Sequence, residues 1–350
     1  MDRAGQRLTP FRGLGRVGVE QMGGQRSEHV AVPGPRRRFR CQRGSVFLQG
    51  HVSDCSLTGV AHRIGSALGN APTTSGSADL RFRQRKGADV DGQVRADIAA
   101  ALLEAYRTRI PIEPLTDKYE GLGLDDAYAI QALQIQSWLD SGAVIKGHKV
   151  GLTSGVMQRQ MKVDRPDFGV LRDDMFYAED VPVPVDAFLQ PRVEPEIAFV
   201  LKKDLSGPGV TIAEAAAAVD FCLPALEIID SRIADWRIKI GDTIADNASS
   251  GGVVLGSHPT KLFDRDLRLV GCNLFGNGTL IATGAGGAAL GSPLLSLAWL
   301  ANTLGEHGVG LSAGHVVLPG SVTAAKPVQP GDTWTAQFAG VGSVTVRFAT

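Results

Sequence analysis

Two acidic residues separated by a single position are the first feature of this sequence that could perform chemistry. Glu194 and Glu196 stand in the segment RVEPE (192–196), directly before the apolar run Ile197–Leu201. On a strand, side chains two positions apart project from the same face. Two carboxylates so close repel each other, and a divalent cation with oxygen ligands, Mg²⁺ or Mn²⁺, would relieve that repulsion. A solvated strand edge, marked by Pro195, is the competing interpretation.

A third acidic residue, Glu227, lies inside the apolar segment LPALEII (223–229). Burial of an unpaired carboxylate is costly, so either a metal ion or an arginine must compensate its charge. Arg232 is the natural partner for the nearby Asp230. That pairing would leave the charge of Glu227 without an explanation.

Two further segments contain polar residues suited to binding a small molecule. In KGHKVGLTS (146–154), Lys149 suits recognition of a carboxylate or, if desolvated, proton transfer, whereas His148 has the opposite strand parity and is interpreted as structural. In IADNASSGG (244–252), Ser249 could hydrogen-bond a ligand. The alternative is an Asx turn that closes on its own backbone.

The glycine-rich segment TGAGGAA (283–289) loosely fits a dinucleotide-binding fingerprint. That fingerprint requires a βαβ unit with an acidic residue after the next strand, and the next acidic candidate, Glu306, ends the following helix instead. We therefore expect a backbone crossing or a turn. Neither a GxSxG elbow nor a phosphate-binding P-loop occurs.

Composition limits the classes of protein to which the chain can belong. Its 350 residues carry 36 basic and 36 acidic side chains, which gives no support for nucleic-acid binding by the whole chain. No apolar run approaches the roughly 20 residues that span a bilayer, and no secretory signal is present. No CxxC pair occurs among the four cysteines, which predicts free thiols in a reducing cytosol. The sequence predicts a cytoplasmic protein with no membrane partner.

The first 88 residues do not have the pattern of a folded domain. Arg, Gly, Ser and Pro are scattered there without a sustained period, so we predict a disordered extension over 1–88. A basic nucleic-acid-binding arm is disfavoured because the arginines are dispersed and aromatic residues are few. Another interpretation is that native translation starts later, for instance at Val90 if its codon is GTG.

The remaining 89–350 are predicted to form the catalytic domain, with a helical part over 89–142. Apolar residues recur every four positions from Val94 to Tyr106, and a second helix is predicted from Asp125 or Asp126 to Gly142. A third helix is expected over Thr211–Val219. Strands are expected at Val144–Leu152, Ile197–Leu201, Ala225–Ile229, Gly251–Leu255, Leu267–Phe275, Val316–Pro319, Trp334–Phe338 and Ser343–Phe348. Because strands and helices do not alternate regularly, the pattern favours a mixed α+β fold.

Several collinear blocks together resemble one known family from about Ile98 to the C-terminus, the 2-keto-4-pentenoate (2-hydroxypenta-2,4-dienoate) hydratases of the fumarylacetoacetase-like superfamily. The clearest blocks are 147–154, 167–169, 190–199, 227–232, 238–249, 284–304, 331–332 and 340–343. The resemblance implies a mixed β-sheet roll or barrel partly surrounded by helices. It also implies an Mg²⁺- or Mn²⁺-dependent hydro-lyase that converts 2-hydroxypenta-2,4-dienoate, or a close homologue, to 4-hydroxy-2-oxopentanoate in meta-cleavage catabolism of aromatic or steroid rings.

The same resemblance assigns roles to six positions. It implies metal ligation by Glu194, Glu196 and Glu227, an active-site lysine at Lys149, an acid/base aspartate at Asp167 and a substrate contact at Ser249. It further implies a ring-like homo-oligomer and a complex with the pathway's decarboxylase or aldolase.

Three rival functions share this superfamily or its ligands. The first is the 4-oxalocrotonate decarboxylase, which has the same metal ligands, and the second is an inactive scaffolding partner of that decarboxylase. A C–C hydrolase of acylpyruvates is the third, but we find no added lid with a catalytic histidine. The blocks DFG (167–169) and WRIKIGDT (236–243) resemble the hydratases and favour that function.

Overall fold

The structure is a computed structural model that describes residues 90–161 and 163–350. The extension predicted over 1–88, with Cys41 and Cys55, lies outside the described residues. Within them, every helix is too short or too polar to cross a membrane. Cys222 and Cys272 are buried free thiols, as the sequence predicts.

The described residues form seven α-helices and twelve β-strands. The helices are α1 Gly92–Thr108, α2 Leu115–Lys118, α3 Leu124–Asp140, α4 Gly155–Met161, α5 Ile212–Ala218, α6 Ile240–Ala245 and α7 Pro293–Glu306. The strands are β1 Ile145–Gly151, β2 Asp167–Arg172, β3 Phe176–Tyr177, β4 Arg192–Leu201, β5 Val219–Ile229, β6 Ser250–Leu255, β7 Gly271–Gly276, β8 Thr279–Ala285, β9 Val316–Leu318, β10 Lys326–Pro327, β11 Thr333–Phe338 and β12 Gly342–Arg347.

The strands form two sheets. The larger sheet has the order β2-β1-β9-β4-β5-β6-β3, with β10 also paired to β4, and the smaller has the order β12-β11-β7-β8. Parallel pairs (β1 with β9, β3 with β6) occur beside antiparallel ones, so the sheet is mixed. This confirms the predicted α+β class.

Strand β4 is longer than expected because it begins at Arg192 and not at Ile197. It pairs with β5 along its whole length, so the segment with Pro195 is not a solvated strand edge. On its other side β10 pairs near Val193 and β9 pairs near Phe199. Pro195 lies between these two partners, where its missing N–H removes no ladder hydrogen bond.

Helix α3 packs against both α1 and α6. The apolar faces of α1 and α3 bury Ile98, Leu102 and Ile130 completely, and the four-residue period of α1 predicts this for Ile98 and Leu102. Two buried amides of α3 reach further: Gln131 Nε2 donates to Phe168 O at 2.9 Å and to Ile244 O at 3.0 Å, and Gln134 Nε2 donates to Ala245 O at 2.6 Å. Helix α3 therefore joins β2 to α6.

The sequence analysis missed strands in both sheets: β2, β3 and β10 in the larger sheet and β8 in the smaller one. Leu267–Phe275 is not one strand: a short 3₁₀ turn over Leu267–Leu269 precedes β7, and β8 had not been predicted. The glycine-rich segment 283–289 ends β8 in an antiparallel hairpin with β7, so no βαβ unit exists there. At Gly284 a Cβ atom would lie 1.9 Å from Val322 O, which confirms the expected backbone crossing.

We predict that Gly147→Ala will destabilise the fold through the contact between β1 and β9. A Cβ at Gly147 would lie 1.9 Å from Val316 O, a backbone atom that cannot move without disturbing the sheet. The expected loss in the free energy of unfolding is roughly 3 kcal/mol, measured by urea denaturation. Gly271→Ala on β7 is the matched control, because a Cβ there meets nothing within 4 Å. Equal unfolding midpoints for the two variants would contradict the prediction.

Candidate metal and substrate site

The three glutamates singled out in the sequence come together on neighbouring strands. Glu194 and Glu196 share one face of β4, and Glu227 on β5 is the register partner of Glu194. One carboxylate oxygen from each lies within 4.8 Å of the others. We call these three residues the glutamate cluster.

Within the glutamate cluster Glu194 is half-buried, whereas Glu196 and Glu227 are buried and incompletely hydrogen-bonded. Glu196 is 0 % exposed and Glu227 is 1 % exposed. Glu196 Oε2 accepts a hydrogen bond from Gly320 N at 2.7 Å, but within the described residues no donor reaches Glu196 Oε1 or Glu227 Oε2. Buried oxygens without a partner are costly. An oxygen-only set with unused lone pairs fits a divalent cation such as Mg²⁺.

Lys149 is the ammonium group nearest to the glutamate cluster. It lies on β1, is 3 % exposed, and its Nζ is 3.3 Å from Glu227 Oε1. The same Nζ donates to Ala248 O at 2.9 Å. His148 is buried on the opposite face beside His315, and burial lowers its pKa to about 3, which fits its interpretation as structural.

Asp167 lies next to Lys149 in the sheet. It begins β2 opposite Gly151, so that Asp167 and Lys149 project from the same face of the β1–β2 pair. Asp167 is 1 % exposed. Its Oδ2 accepts a hydrogen bond from Thr243 Oγ1 at 3.2 Å, and Thr243 Oγ1 also lies 3.2 Å from Ser249 Oγ. Thr243 had not been singled out individually, although it ends a stretch that resembles the hydratases.

Ser249 belongs to a left-handed turn of three residues, Asn247–Ser249, whose φ angles are 52°, 51° and 53°. Such a conformation costs about 1 kcal/mol or more for each non-glycine residue. The turn is held from outside: Asn247 Oδ1 accepts from Val170 N at 2.8 Å, and Asn247 Nδ2 donates to Val170 O at 3.0 Å. The Asn247 side chain therefore bonds the backbone of β2. It does not close an Asx turn on its own backbone, which was the alternative considered from the sequence.

Arg232 pairs differently from the sequence-based interpretation. It is 0 % exposed, and its Nε and backbone N both donate to the carboxylate of Asp246, just before the left-handed turn. Asp230 is the more distant partner, with Oδ2 3.6 Å from Arg232 Nη1, and it accepts mainly from the backbone N–H groups of Leu189 and Gln190. The buried arginine thus secures the start of the turn that presents Ser249.

A cavity of about 600 Å³ opens over these groups. Lys149, Asp167, Glu194, Thr243 and Ser249 all line it. The cavity is large enough for a small organic acid.

Burial and like charge dominate the electrostatics of the site. Burial and the neighbouring Glu227 raise the pKa of Glu194 to about 7, and burial also raises the pKa values of Glu196 and Glu227. Burial alone would lower the pKa of Lys149, but the surrounding carboxylates outweigh it and raise that pKa. Burial raises the pKa of Asp167. One ammonium group thus faces four carboxyl groups.

Comparison with known proteins identifies relatives of this chain. Residues 143–349 match the family model of the fumarylacetoacetate hydrolase C-terminal domain. A 2-keto-4-pentenoate hydratase of Paraburkholderia xenovorans (strain LB400) is 46 % identical over 256 residues, which cover 73 % of this chain and 95 % of the relative. A 2-hydroxyhexa-2,4-dienoate hydratase of Comamonas testosteroni is 42 % identical over 249 residues, covering 71 % and 94 %.

Among solved structures, the 4-oxalocrotonate decarboxylase of Pseudomonas putida G7, complexed with magnesium and adipate, superposes with a TM-score of 0.73. It is 35 % identical in sequence and covers 75 % of this chain and 100 % of its own.

We predict that Mg²⁺ will stabilise the protein more at pH 8 than at pH 5. A carboxyl group whose folded-state pKa is raised contributes stability that is present below its unfolded pKa and is lost as the pH rises through the folded pKa. For Glu194 this window extends from the ordinary value near 4.5 to about 7. In EDTA the melting temperature should therefore fall between pH 5 and pH 8, and Mg²⁺ should reverse the fall.

Glu194→Gln tests the cause, since the amide cannot ionise. It should flatten the pH dependence in EDTA and weaken the response to Mg²⁺. Glu120→Gln changes an exposed residue and is the matched control. A pH dependence in Glu194→Gln as steep as in the unmodified chain would show that the cluster is not its source.

Proposed function

This chain belongs to the fumarylacetoacetate hydrolase family, and on that basis we propose that it is a metal-dependent hydratase of 2-hydroxypenta-2,4-dienoate or a close homologue. Water addition to this dienol acid gives 4-hydroxy-2-oxopentanoate. Relatives at 46 % and 42 % identity over most of the chain are named 2-keto-4-pentenoate hydratase and 2-hydroxyhexa-2,4-dienoate hydratase. The observation that carries the proposal is the buried glutamate cluster, which adjoins Lys149 and Asp167 at one cavity.

The glutamate cluster would hold the metal ion. Three carboxylates with unused oxygens suit Mg²⁺ or Mn²⁺, and two structures of the related decarboxylase contain magnesium or calcium. When bound, the cation supplies a Lewis acid for the 2-oxo and carboxylate oxygens of the substrate. The N–H of Gly320 orients Glu196 from behind and leaves its second oxygen available.

Lys149 and Asp167 would have different roles, because the first is a cation and the second can hold a proton. The pKa of Lys149 is raised by the surrounding carboxylates, so its ammonium stays protonated and orients an anionic substrate or the attacking water. The pKa of Asp167 is raised by burial, so its carboxyl group can hold a proton and release it as a general acid. Protonation at C5 of the dienol acid makes C4 electrophilic, and water adds there.

Decarboxylation of 4-oxalocrotonate is the second candidate function. It is favoured by one observation, the match to a solved decarboxylase at 35 % identity over its whole length. The hydratase relatives are more similar in sequence, at up to 46 % identity. A scaffolding partner without activity is disfavoured, because all three members of the glutamate cluster and both Lys149 and Asp167 are in place.

We further propose a homo-oligomer in solution. Phe263 and Leu269 leave 79 % and 78 % of their surface exposed, which is unusual for large apolar side chains and suits a subunit contact. Light scattering of the purified chain measures the assembly directly, and a monomer would refute this part of the proposal.

The function is tested with the purified chain, Mg²⁺ and 2-hydroxypenta-2,4-dienoate. We expect loss of the dienoate absorbance, formation of 4-hydroxy-2-oxopentanoate and no release of CO₂. The same chain should release no CO₂ from 4-oxalocrotonate. Release of CO₂ from that acid without any hydration of the dienoate would establish the decarboxylase instead.

We predict that Glu196→Gln will lower kcat/KM by at least about 100-fold and remove the dependence on Mg²⁺, since an amide is a weaker ligand than a carboxylate. The far-ultraviolet circular dichroism spectrum should be unchanged, because the amide can still accept from Gly320 N. Glu120→Gln, which changes an exposed glutamate, should keep full activity. Full Mg²⁺-dependent activity of Glu196→Gln would show that the ligand assignment is wrong.

A further inference from the structure

Three buried polar residues that line the cavity, Asp167, Thr243 and Ser249, are joined in a row of hydrogen bonds. Thr243 Oγ1 lies 3.2 Å from Asp167 Oδ2 and 3.2 Å from Ser249 Oγ. The three residues are 1 %, 5 % and 3 % exposed, and each lines the cavity. A threonine hydroxyl has one proton to donate and lone pairs that accept. Thr243 can therefore donate to Asp167 while it accepts from Ser249, or the reverse.

The protonation state of Asp167 sets the donor-to-acceptor direction of these hydrogen bonds. When Asp167 is ionised, Thr243 donates to Asp167 and accepts from Ser249. When Asp167 holds a proton, it donates to Thr243, Thr243 donates to Ser249, and the Ser249 proton is free to point into the cavity. Through Thr243, the protonation state of Asp167 thus decides whether the Ser249 hydroxyl can donate into the cavity.

We propose that Thr243 is a relay residue, which carries protons between Asp167 and Ser249 so that the acid/base group acts on the substrate through the Ser249 hydroxyl. The proposal rests on the hydratase function proposed above. It assigns Thr243 to positioning and relay, and it makes Ser249 the group that touches the reacting carbon.

The proton transfers balance over one turnover. In the first step the Asp167 proton passes to Thr243, the Thr243 proton to Ser249, and the Ser249 proton to C5 of the dienol acid, whose enol proton is released to solvent. In the second step the attacking water bonds to C4 and loses a proton along the same path in reverse, which restores the Asp167 carboxyl group. C3 takes its proton from solvent, so the sum is the addition of one water molecule.

Hydrogen bonds from neighbouring residues fix the positions of Thr243 and Ser249. Thr243 lies in α6, whose first turn is secured by Asp242: its carboxylate accepts from Lys239 N at 2.8 Å and from Thr116 Oγ1 at 2.6 Å. Ser249 is fixed by the left-handed turn, in which its carbonyl accepts from Asp230 N at 2.9 Å. A strained turn that is held by so many contacts suits a hydroxyl that must keep one position.

The test compares Thr243→Val, which removes the hydroxyl at nearly constant shape, with Thr243→Ser, which keeps it. We expect kcat of Thr243→Val to fall roughly 10- to 100-fold with little change in KM, and Thr243→Ser to recover most of it. The dependence of kcat on the D₂O fraction should be curved in the unmodified chain, because several protons move together, and linear in Thr243→Val. Thr260→Val removes a hydroxyl that bonds Val341 O far from the cavity and should change neither quantity.

A second readout separates the relay from the hydratase function. Incorporation of deuterium at C5 of the dienoate in D₂O, followed by NMR, reports the first proton transfer even where no water adds. Exchange without hydration, slowed in Thr243→Val, would support the relay and refute the hydratase. Three results would each overturn the relay. The first is that Thr243→Val keeps its kcat or its rate of exchange, and the second is that Thr243→Val and Thr243→Ser lose equal activity. The third is that the unmodified protein neither exchanges deuterium nor hydrates the dienoate.

Discussion

Repulsion among buried carboxyl groups is the constraint on which the architecture of this protein depends. The antiparallel pairing of β4 with β5 places Glu194 opposite Glu227, and the parity of β4 adds Glu196 on the same face. Lys149 is the ammonium nearest to them, so full ionisation of the three glutamates and Asp167 would leave uncompensated negative charge. The central strands are therefore stable together only if protons or a cation neutralise that charge.

The fold tolerates this cost because the surroundings are rigid and otherwise apolar. Ile197 and Phe199, on the opposite face of β4, are buried in the main core. The amides of Gln131 and Gln134 join α3 to β2 and to α6. Two contacts offset the strain in the left-handed turn. The Asn247 amide hydrogen-bonds the backbone of β2, and Arg232 forms an ion pair with Asp246. Residues that touch no substrate thus fix the positions of those that line the cavity.

This chain is similar to proteins that are named for two different reactions. Its relatives include a hydratase, and its fold matches that of a decarboxylase whose structure contains magnesium. Under the proposed function the glutamate cluster only holds the metal ion, so the groups that handle protons and water would select the reaction. We propose that those groups are Lys149, Asp167, Thr243 and Ser249, which come from β1, β2, α6 and the left-handed turn.

The sequence by itself determined the features that follow from local periodicity. Alternation along a strand predicted that Glu194 and Glu196 share a face, and the apolar surroundings of Glu227 predicted a buried charge. The four-residue period predicted α1, and a βαβ nucleotide site could be rejected at 283–289. In these cases the relevant contacts lie within a few residues, or one face must be apolar throughout.

Only the tertiary structure decided which distant groups meet. The hydrogen bond of Gly320 to Glu196, the pairing of Arg232 with Asp246, and the contact of Thr243 with Asp167 join residues that no periodicity relates. The left-handed turn could not be predicted either, because its residues are not glycines and its strain is balanced by contacts with β2. The sequence therefore identified the charges of the site, whereas long-range packing decided how those charges are held and connected.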